Sequence, residues 1–287
     1  MPTATVPSFA KINLALKVLH HRPDGYHEIR TIFQTISLAD RLTITAEPAR
    51  RTKLTIDATI DIPDNIILKA ADRLLDKLKR RAQVHFLLQK RIPMGGGLGG
   101  GSSNAAAVLL GLPPLLGISP PATVLHEIAA SLGSDVPFFL MGGTALGLGR
   151  GEELYPFPET PVAHGVLVLP GVHVSTPEAY KALQRTTETP FPNSFPLSTW
   201  DAPHDWRTFS ENDFEGPVFR LYPKVVDAHT ALTNAGANPT RLSGSGSSVF
   251  GFFESKSAAS AAAKRIPGAV LFSTLNRKRY RLAWGRA

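Results

Sequence analysis

Residues 93–107 read Pro-Met-Gly-Gly-Gly-Leu-Gly-Gly-Gly-Ser-Ser-Asn-Ala-Ala-Ala. Six glycines surround Leu98, hydroxyls follow at Ser102 and Ser103, and the alanine run after them favours helix. Glycine loses more backbone entropy on folding than any other residue, so this cluster is costly unless the main chain itself has a task. Wrapping closely around an anion is such a task. A helix starting near Ser102 or Ser103 adds unpaired N–H groups and the positive end of its dipole. The stretch reads as a phosphate site. Apolar sequence flanks it closely on both sides, which argues against a flexible linker.

Two other phosphate loops are excluded. A Walker A loop ends in Gly-Lys-Ser/Thr, whereas Gly101 runs into Ser102 without a lysine. Gly95, Gly97 and Gly100 match the G-x-G-x-x-G spacing of dinucleotide sites, but Pro93 interrupts the approach. Glu127, at about the distance where an acidic residue should end a second strand, sits in a helical pattern instead.

With 287 residues, 43% hydrophobic and 19% charged, the chain can bury a substantial core as one large or two ordinary domains. It has no cysteine, which excludes disulfides and Cys-ligated zinc. Apolar runs such as Ala105–Leu112 are cut by Pro113 and Pro114, and the first residues lack the pattern of a secretory signal. The expectation is a soluble cytoplasmic protein without membrane contact. The net charge of +8 suits multiply phosphorylated ligands. The basic clusters at 50–53, 77–81 and 277–281 are scattered and lack interleaved aromatics, so nucleic acid is not the expected partner.

Periodicity predicts strands at 8–18, 31–38, 42–46, 53–57, 84–90, 166–169, 248–254 and 269–272. It predicts helices at 66–80, 102–112, 123–132, 225–236 and 256–265, the first capped by Asp64 or Asn65. Another helix opens at Thr176-Pro177-Glu178, and 186–216 reads as a long surface connection. A strand-rich N-terminal unit, 1–160, is followed by an α+β unit, 161–287.

Four further segments carry polar groups in apolar surroundings. Lys11 and Asn13 share one face of a strand whose other face holds Ala10, Ile12 and Leu14. Pro23-Asp24-Gly25 is turn chemistry that presents Tyr26 and His27, either as a polar hairpin end or as a receiver for a flat ring. Asp135 precedes a Pro-Phe-Phe run, as a turn residue or as a group orienting a nucleophilic hydroxyl. Residues 243–248, Ser-Gly-Ser-Gly-Ser-Ser, allow a second close backbone approach or simply turn into a strand.

Together these segments resemble the GHMP kinase superfamily. Pro93 through Ser103 carries its proline, Gly-Leu-Gly and Ser-Ser pattern. The segments 10–14, 22–27, 135–139 and 243–246 narrow the resemblance to the branch acting on 4-diphosphocytidyl-2-C-methyl-D-erythritol. The implied fold is a two-domain α/β structure with mixed α+β character. Its N-terminal domain is ribosomal protein S5 domain 2-like, its C-terminal domain ferredoxin-like, and its active site lies between them. The implied reaction is ATP-dependent phosphorylation of the 2-hydroxyl of the methylerythritol unit in the non-mevalonate route to isoprenoid precursors.

The resemblance also implies residue roles. Lys11 and Asp135 form the catalytic pair. Pro93, Met94, Gly95, Gly96, Gly97, Leu98, Gly99, Gly100, Gly101, Ser102 and Ser103 hold ATP, with Asn65 near the adenosine. Asn13, Tyr26, His27, Thr176, Tyr180 and Gly246 bind the acceptor, with Tyr26 and Tyr180 on opposite faces of cytosine. Mg²⁺ bridges the ATP phosphates, held by Ser102 or Ser103, phosphate and water. The protein is expected to act on a small molecule as a monomer or homodimer. Ser134 departs from the family pattern, which has alanine there. Alternatives are a mevalonate- or homoserine-type kinase, a non-catalytic nucleotide-binding module, and a nucleic-acid binder.

Overall fold

The first 48 residues form two strands far longer than the usual five or six residues. β1 spans Thr3–His21 and β2 His27–Pro48, joined through the Pro23-Asp24-Gly25 turn. They pair antiparallel from Thr3 opposite Thr45 to His21 opposite His27. Register shifts between Phe9 and Lys11 and between Asn13 and Ala15 let this ribbon bend and twist. The two strands expected at 31–38 and 42–46 are therefore one. The stretch 39–41 between them is held by β1, with Asp40 opposite Ser8. These and all later statements concern the described part of the computed structural model, residues 1–159, 161–184 and 210–285.

β3 (Lys53–Ala58) pairs parallel with β4 (Ala82–Gln89), and β4 runs antiparallel to Arg41–Pro48 of β2. β5 (Thr144–Leu148) pairs with Thr31–Gln34 of β2 and with β6 (Glu153–Pro156), which completes a six-stranded sheet. β4 and β5 thus divide one edge of β2 between them and leave a fork near Asp40. The sheet packs against α1 (Ile66–Lys77), α2 (Gly100–Leu115), α3 (Ala122–Leu132) and α4 (Val136–Met141). Asn65 caps α1, its Oδ1 accepting from the Ile67 N–H at 3.1 Å. The second helix begins two residues before the expected start and runs through Pro113 and Pro114. Its buried face, Ser103–Pro113, outweighs the amide donors that the prolines lack.

The second sheet has the order β10-β7-β9-β8, from β7 (His164–Val168), β8 (Thr240–Leu242), β9 (Val249–Phe253) and β10 (Val270–Ser273). Around it lie α5 (Thr176–Leu183), α6 (Glu215–Leu221), α7 (Pro223–Asn234) and α8 (Lys256–Arg265), while α9 (Arg277–Gly285) packs back on the first unit, its Tyr280 hydroxyl donating to the Phe139 carbonyl. Of the connection expected at 186–216, positions 186–209 lie outside the described residues. The part at 210–216 is not a loose surface connection: Asn212 bridges to Leu16 of β1, and α6 starts at Glu215.

Apolar packing runs through both sheets. Val6 of β1 joins the helix-covered core of the first sheet. Ala10, Ile12 and Leu14 pack with Phe250, Phe252 and Phe272 at the seam, while Leu16 and Val18 enter the core beneath α5–α8. A cleft of about 730 Å³ lies beside that seam, lined from both halves of the chain.

Candidate active site

The glycine loop leaves the fork at which β2 changes partners. Lys90 donates from Nζ to Asp40 Oδ2 and to the Ile92 carbonyl, both at 2.6 Å. Asp40 Oδ1 accepts from the Arg91 and Ile92 amides at 2.6 and 2.7 Å. The three residues before Pro93 are thereby fixed. Gly95, Gly97 and Gly99 then have φ near +70°, at +69°, +73° and +67°. Left-handed glycines at every second position curl the chain into a concavity of N–H groups, suited to an anion. Leu98 anchors the loop in the seam core, and its carbonyl accepts from the Lys11 amide at 3.0 Å.

Space as well as φ demands glycine at position 97. A Cβ there would lie 2.1 Å from the Ser243 carbonyl oxygen and 3.1 Å from that of Gly246. The second small-residue loop, 243–248, closes directly onto the first. Gly97 and Gly99 line the cleft with Ser102, whereas Ser103 is 1% exposed and hydrogen-bonded to Ser8 at 2.9 Å. Pro93, Met94, Gly95, Gly96, Leu98, Gly100 and Gly101 shape or support the loop outside the cleft lining. Asn65 is engaged as the α1 cap, although its neighbour Ile66 lies 3.9 Å from where a Cβ on Gly101 would stand.

Lys11 and Asn13 lie side by side as expected, Nζ to Oδ1 at 2.7 Å, with Asn13 Nδ2 donating to Thr31 Oγ1 at 2.7 Å. Thr31 in turn donates to the Ala15 carbonyl at 2.8 Å. This chain holds the amide so that its oxygen faces the ammonium. Asp135 sits at the N-terminal cap position of α4, yet its side chain makes no capping bond. Its Oδ2 lies 3.7 Å from Lys11 Nζ, with the lysine side chain 5% and the aspartate 32% exposed. The carboxylate therefore reaches the cleft while the ammonium is sheltered beneath it.

Part of the cleft lining is aromatic. Tyr26 is 56% exposed at the β1–β2 turn, with the Arg150 guanidinium 4.8 Å from its ring centre. His27 stacks on Tyr180 at 4.8 Å and 24°, and Tyr180 meets Phe214 edge-on at 4.8 Å. Burial, with the Asp135 charge second, pushes the Tyr180 phenol up to about 12, so it stays neutral. Burial and then the charge of His21 push the His27 imidazole down. A neutral His27 presents one donor and one acceptor.

All the expected acceptor-side residues except Gly246 line this one cleft. Gly246 packs against Leu242 and Val174, and its neighbours Gly244 and Ser245 line the cleft instead. Thr176 meets Ser245 through paired hydroxyls at 2.9 Å. Arg150 and Thr31 were not singled out from sequence: an arginine in a Gly-Arg-Gly turn and a strand threonine carry no local signature. The described residues contain no cluster of three His, Cys, Asp or Glu side chains fit for a metal. Mg²⁺ needs no such cage, because one or two protein oxygens plus phosphate and water complete its shell. The Ser102 hydroxyl in the cleft fits that demand, and Ser103 does not.

Two family models match the chain, that of the GHMP kinases N terminal domain over residues 65–143 and that of the GHMP kinases C terminal over 197–270. A 4-diphosphocytidyl-2-C-methyl-D-erythritol kinase from Solibacter usitatus is 46% identical, over 99% of this chain and 92% of its own. The enzyme of that name from Geobacter sulfurreducens is 40% identical, over 93% and 95%. A crystal structure of 4-(cytidine 5'-diphospho)-2C-methyl-D-erythritol kinase superposes with a TM-score of 0.80 at 36% identity, covering 94% of this chain and 99% of that one. L. major mevalonate kinase, at TM-score 0.68 and 14% identity, shares the fold. The chain belongs to the GHMP kinases, within the family of the 4-diphosphocytidyl-2-C-methyl-D-erythritol kinases.

Proposed function

We propose that the protein transfers the γ-phosphoryl group of ATP to the 2-hydroxyl of 4-diphosphocytidyl-2-C-methyl-D-erythritol, giving the 2-phosphate and ADP. One observation carries this reading: Lys11 and Asp135 meet at 3.7 Å in a cleft that is also lined by Gly97 and Gly99 of the glycine loop and by Tyr26, His27 and Tyr180. Residues suited to a phosphate cradle, a carboxylate and a set of aromatic rings share one cavity, which is what such an acceptor requires.

In the mechanism, the curled N–H groups of 95–99 and the first turn of α2 hold the ATP phosphates. Asp135 orients the acceptor hydroxyl and takes its proton as the oxygen bonds to phosphorus and the bond to ADP breaks. A carboxylate is a weak base toward an alcohol, so the proton moves late. Phosphoryl transfer through a loose transition state needs little nucleophilic push. Lys11 offsets charge on Asp135 and on the moving phosphoryl group. At about 4 Å and an effective dielectric near 20 that attraction is about 4 kcal/mol before desolvation, and solvent at Asp135 screens part of it. Mg²⁺, held by Ser102 with phosphate and water, would supply charge neutralisation on the ATP phosphates.

The partner is a small molecule, met by a monomer or homodimer in the cytoplasm, and the chain divides at residue 160. Among the described residues no helix is long and apolar enough to cross a membrane. The test is coupled ADP release with the cytidyl acceptor, mevalonate and homoserine offered in parallel. Turnover with the first alone is expected. Equal or better turnover with either of the others overturns the acceptor assignment, and nucleotide binding without acceptor-dependent ADP release overturns catalysis.

A further inference from the structure

Arg150 occupies the turn between β5 and β6, flanked by Gly149 and Gly151 with φ of +69° and +103°. Its backbone N–H and its Nε both donate to the Glu152 carboxylate, at 2.8 and 3.1 Å. These two bonds fix the guanidinium, and no described residue accepts from its terminal nitrogens. The fixed group lies 4.8 Å from the Tyr26 ring centre, at the cleft.

The turn is also tied to β2, which begins one residue after Tyr26. The Ile29 amide donates to the Gly149 carbonyl at 2.7 Å, and the Gly149 amide to Glu28 Oε1 at 3.2 Å. Glu28 Oε2 accepts from Arg22 at 2.6 Å, and Arg22 pairs in turn with Asp24 at 3.2 Å. Among the described residues, the exposed ring of Tyr26 has no stacked or edge-on ring neighbour of the kind Tyr180 has in His27 and Phe214. An unheld side chain at such a position loses rotamer freedom when a ligand arrives, and that loss weakens binding. A planar cation resting on the ring removes the freedom in advance.

We propose that Arg150, braced by Glu152, is a positioning residue that holds Tyr26 ready for the nucleobase of the acceptor. The proposal rests on the function given above. Because Arg150 touches the Tyr26 ring and bonds to neither Lys11 nor Asp135, its removal acts on acceptor binding and leaves phosphoryl transfer intact. Replacing it with lysine keeps a cation over the ring but loses the planar fork that Glu152 braces.

The experiment measures KM for the acceptor, KM for ATP and kcat in wild type, R150A, R150K and E152Q, with calorimetric binding of cytidine 5'-monophosphate alongside. Acceptor KM and the monophosphate dissociation constant are expected to rise about two- to fivefold in R150A, the worth of one cation–ring contact. R150K and E152Q should fall between it and wild type, with kcat and KM for ATP unchanged in all three. Unchanged acceptor KM and monophosphate binding in a folded R150A overturn the proposal, as does a loss in kcat equal to the loss in binding. A wild-type enzyme that ignores the cytidyl acceptor overturns the functional reading instead.

Discussion

Ser243 donates from Oγ to the Gly97 carbonyl at 3.0 Å and so locks the two small-residue loops together across the cleft. Their backbones touch, and a methyl group on Gly97 would need space that the Ser243 carbonyl fills. Gly97→Ala combines that overlap with a left-handed φ. Stability should fall by about 2–4 kcal/mol, from overpacking and backbone strain. The ATP dissociation constant should rise at least about tenfold, the equivalent of 1.4 kcal/mol. Denaturant unfolding and nucleotide calorimetry on one preparation check both.

Asp135→Asn keeps the size of the side chain and removes its charge and basicity. Because the carboxylate makes no capping bond to α4, the fold should survive. The expected loss in kcat is about 10²–10⁴-fold, the usual worth of a positioned acid–base group. ATP affinity should stay close to wild type. Single-turnover kinetics separates the two, and near-normal turnover would remove Asp135 from the mechanism.

The pH dependence of acceptor binding should report His27. Its value is depressed below 6.5 by burial and by His21, so the neutral ring persists further into acid than an ordinary histidine. Protonation removes the acceptor nitrogen that a base edge can use. Acceptor KM should be flat through neutral pH and rise only below 6.5, with His27→Asn flattening that acid limb. Initial rates across pH at saturating ATP provide the check.

The fork beneath the glycine loop depends on a sheltered ion pair, with the Lys90 side chain 6% and the Asp40 side chain 0% exposed. Removing one partner leaves the other charge uncompensated, which costs about 3–5 kcal/mol. Lys90→Met should therefore destabilise strongly. The double variant with Asp40→Asn should lose less than the sum of the two single changes, because the pair is coupled. Urea unfolding of the four proteins gives the coupling directly.

The residues that meet in the cleft were legible wherever they lay in short, locally unusual segments. Residues 93–103 stand out through glycine content alone, and Lys11 beside Asn13 through alternation with apolar neighbours. Partnerships that depend on distant pairing were not legible. Asp40 looked like a break between two strands because its partners, Lys90 and the Arg91 and Ile92 amides, are supplied by a remote turn. The separate fates of Ser102 and Ser103 follow from helix phase once α2 begins at Gly100, which turns Ser103 onto Ser8. The His27–Tyr180 stack likewise needs α5 to dock beside the first turn before the two rings can meet.

β1 contributes to all three apolar clusters, through Val6, through Ala10, Ile12 and Leu14, and through Leu16 and Val18. During synthesis this strand is made well before Phe250, Phe252 and Phe272, which cover its central residues. Contacts so far apart in sequence slow folding, since loop closure precedes the gain from burial. The nascent chain must keep an apolar ribbon unaggregated until those residues emerge, so demand for chaperone holding is set by the same strand that carries Lys11.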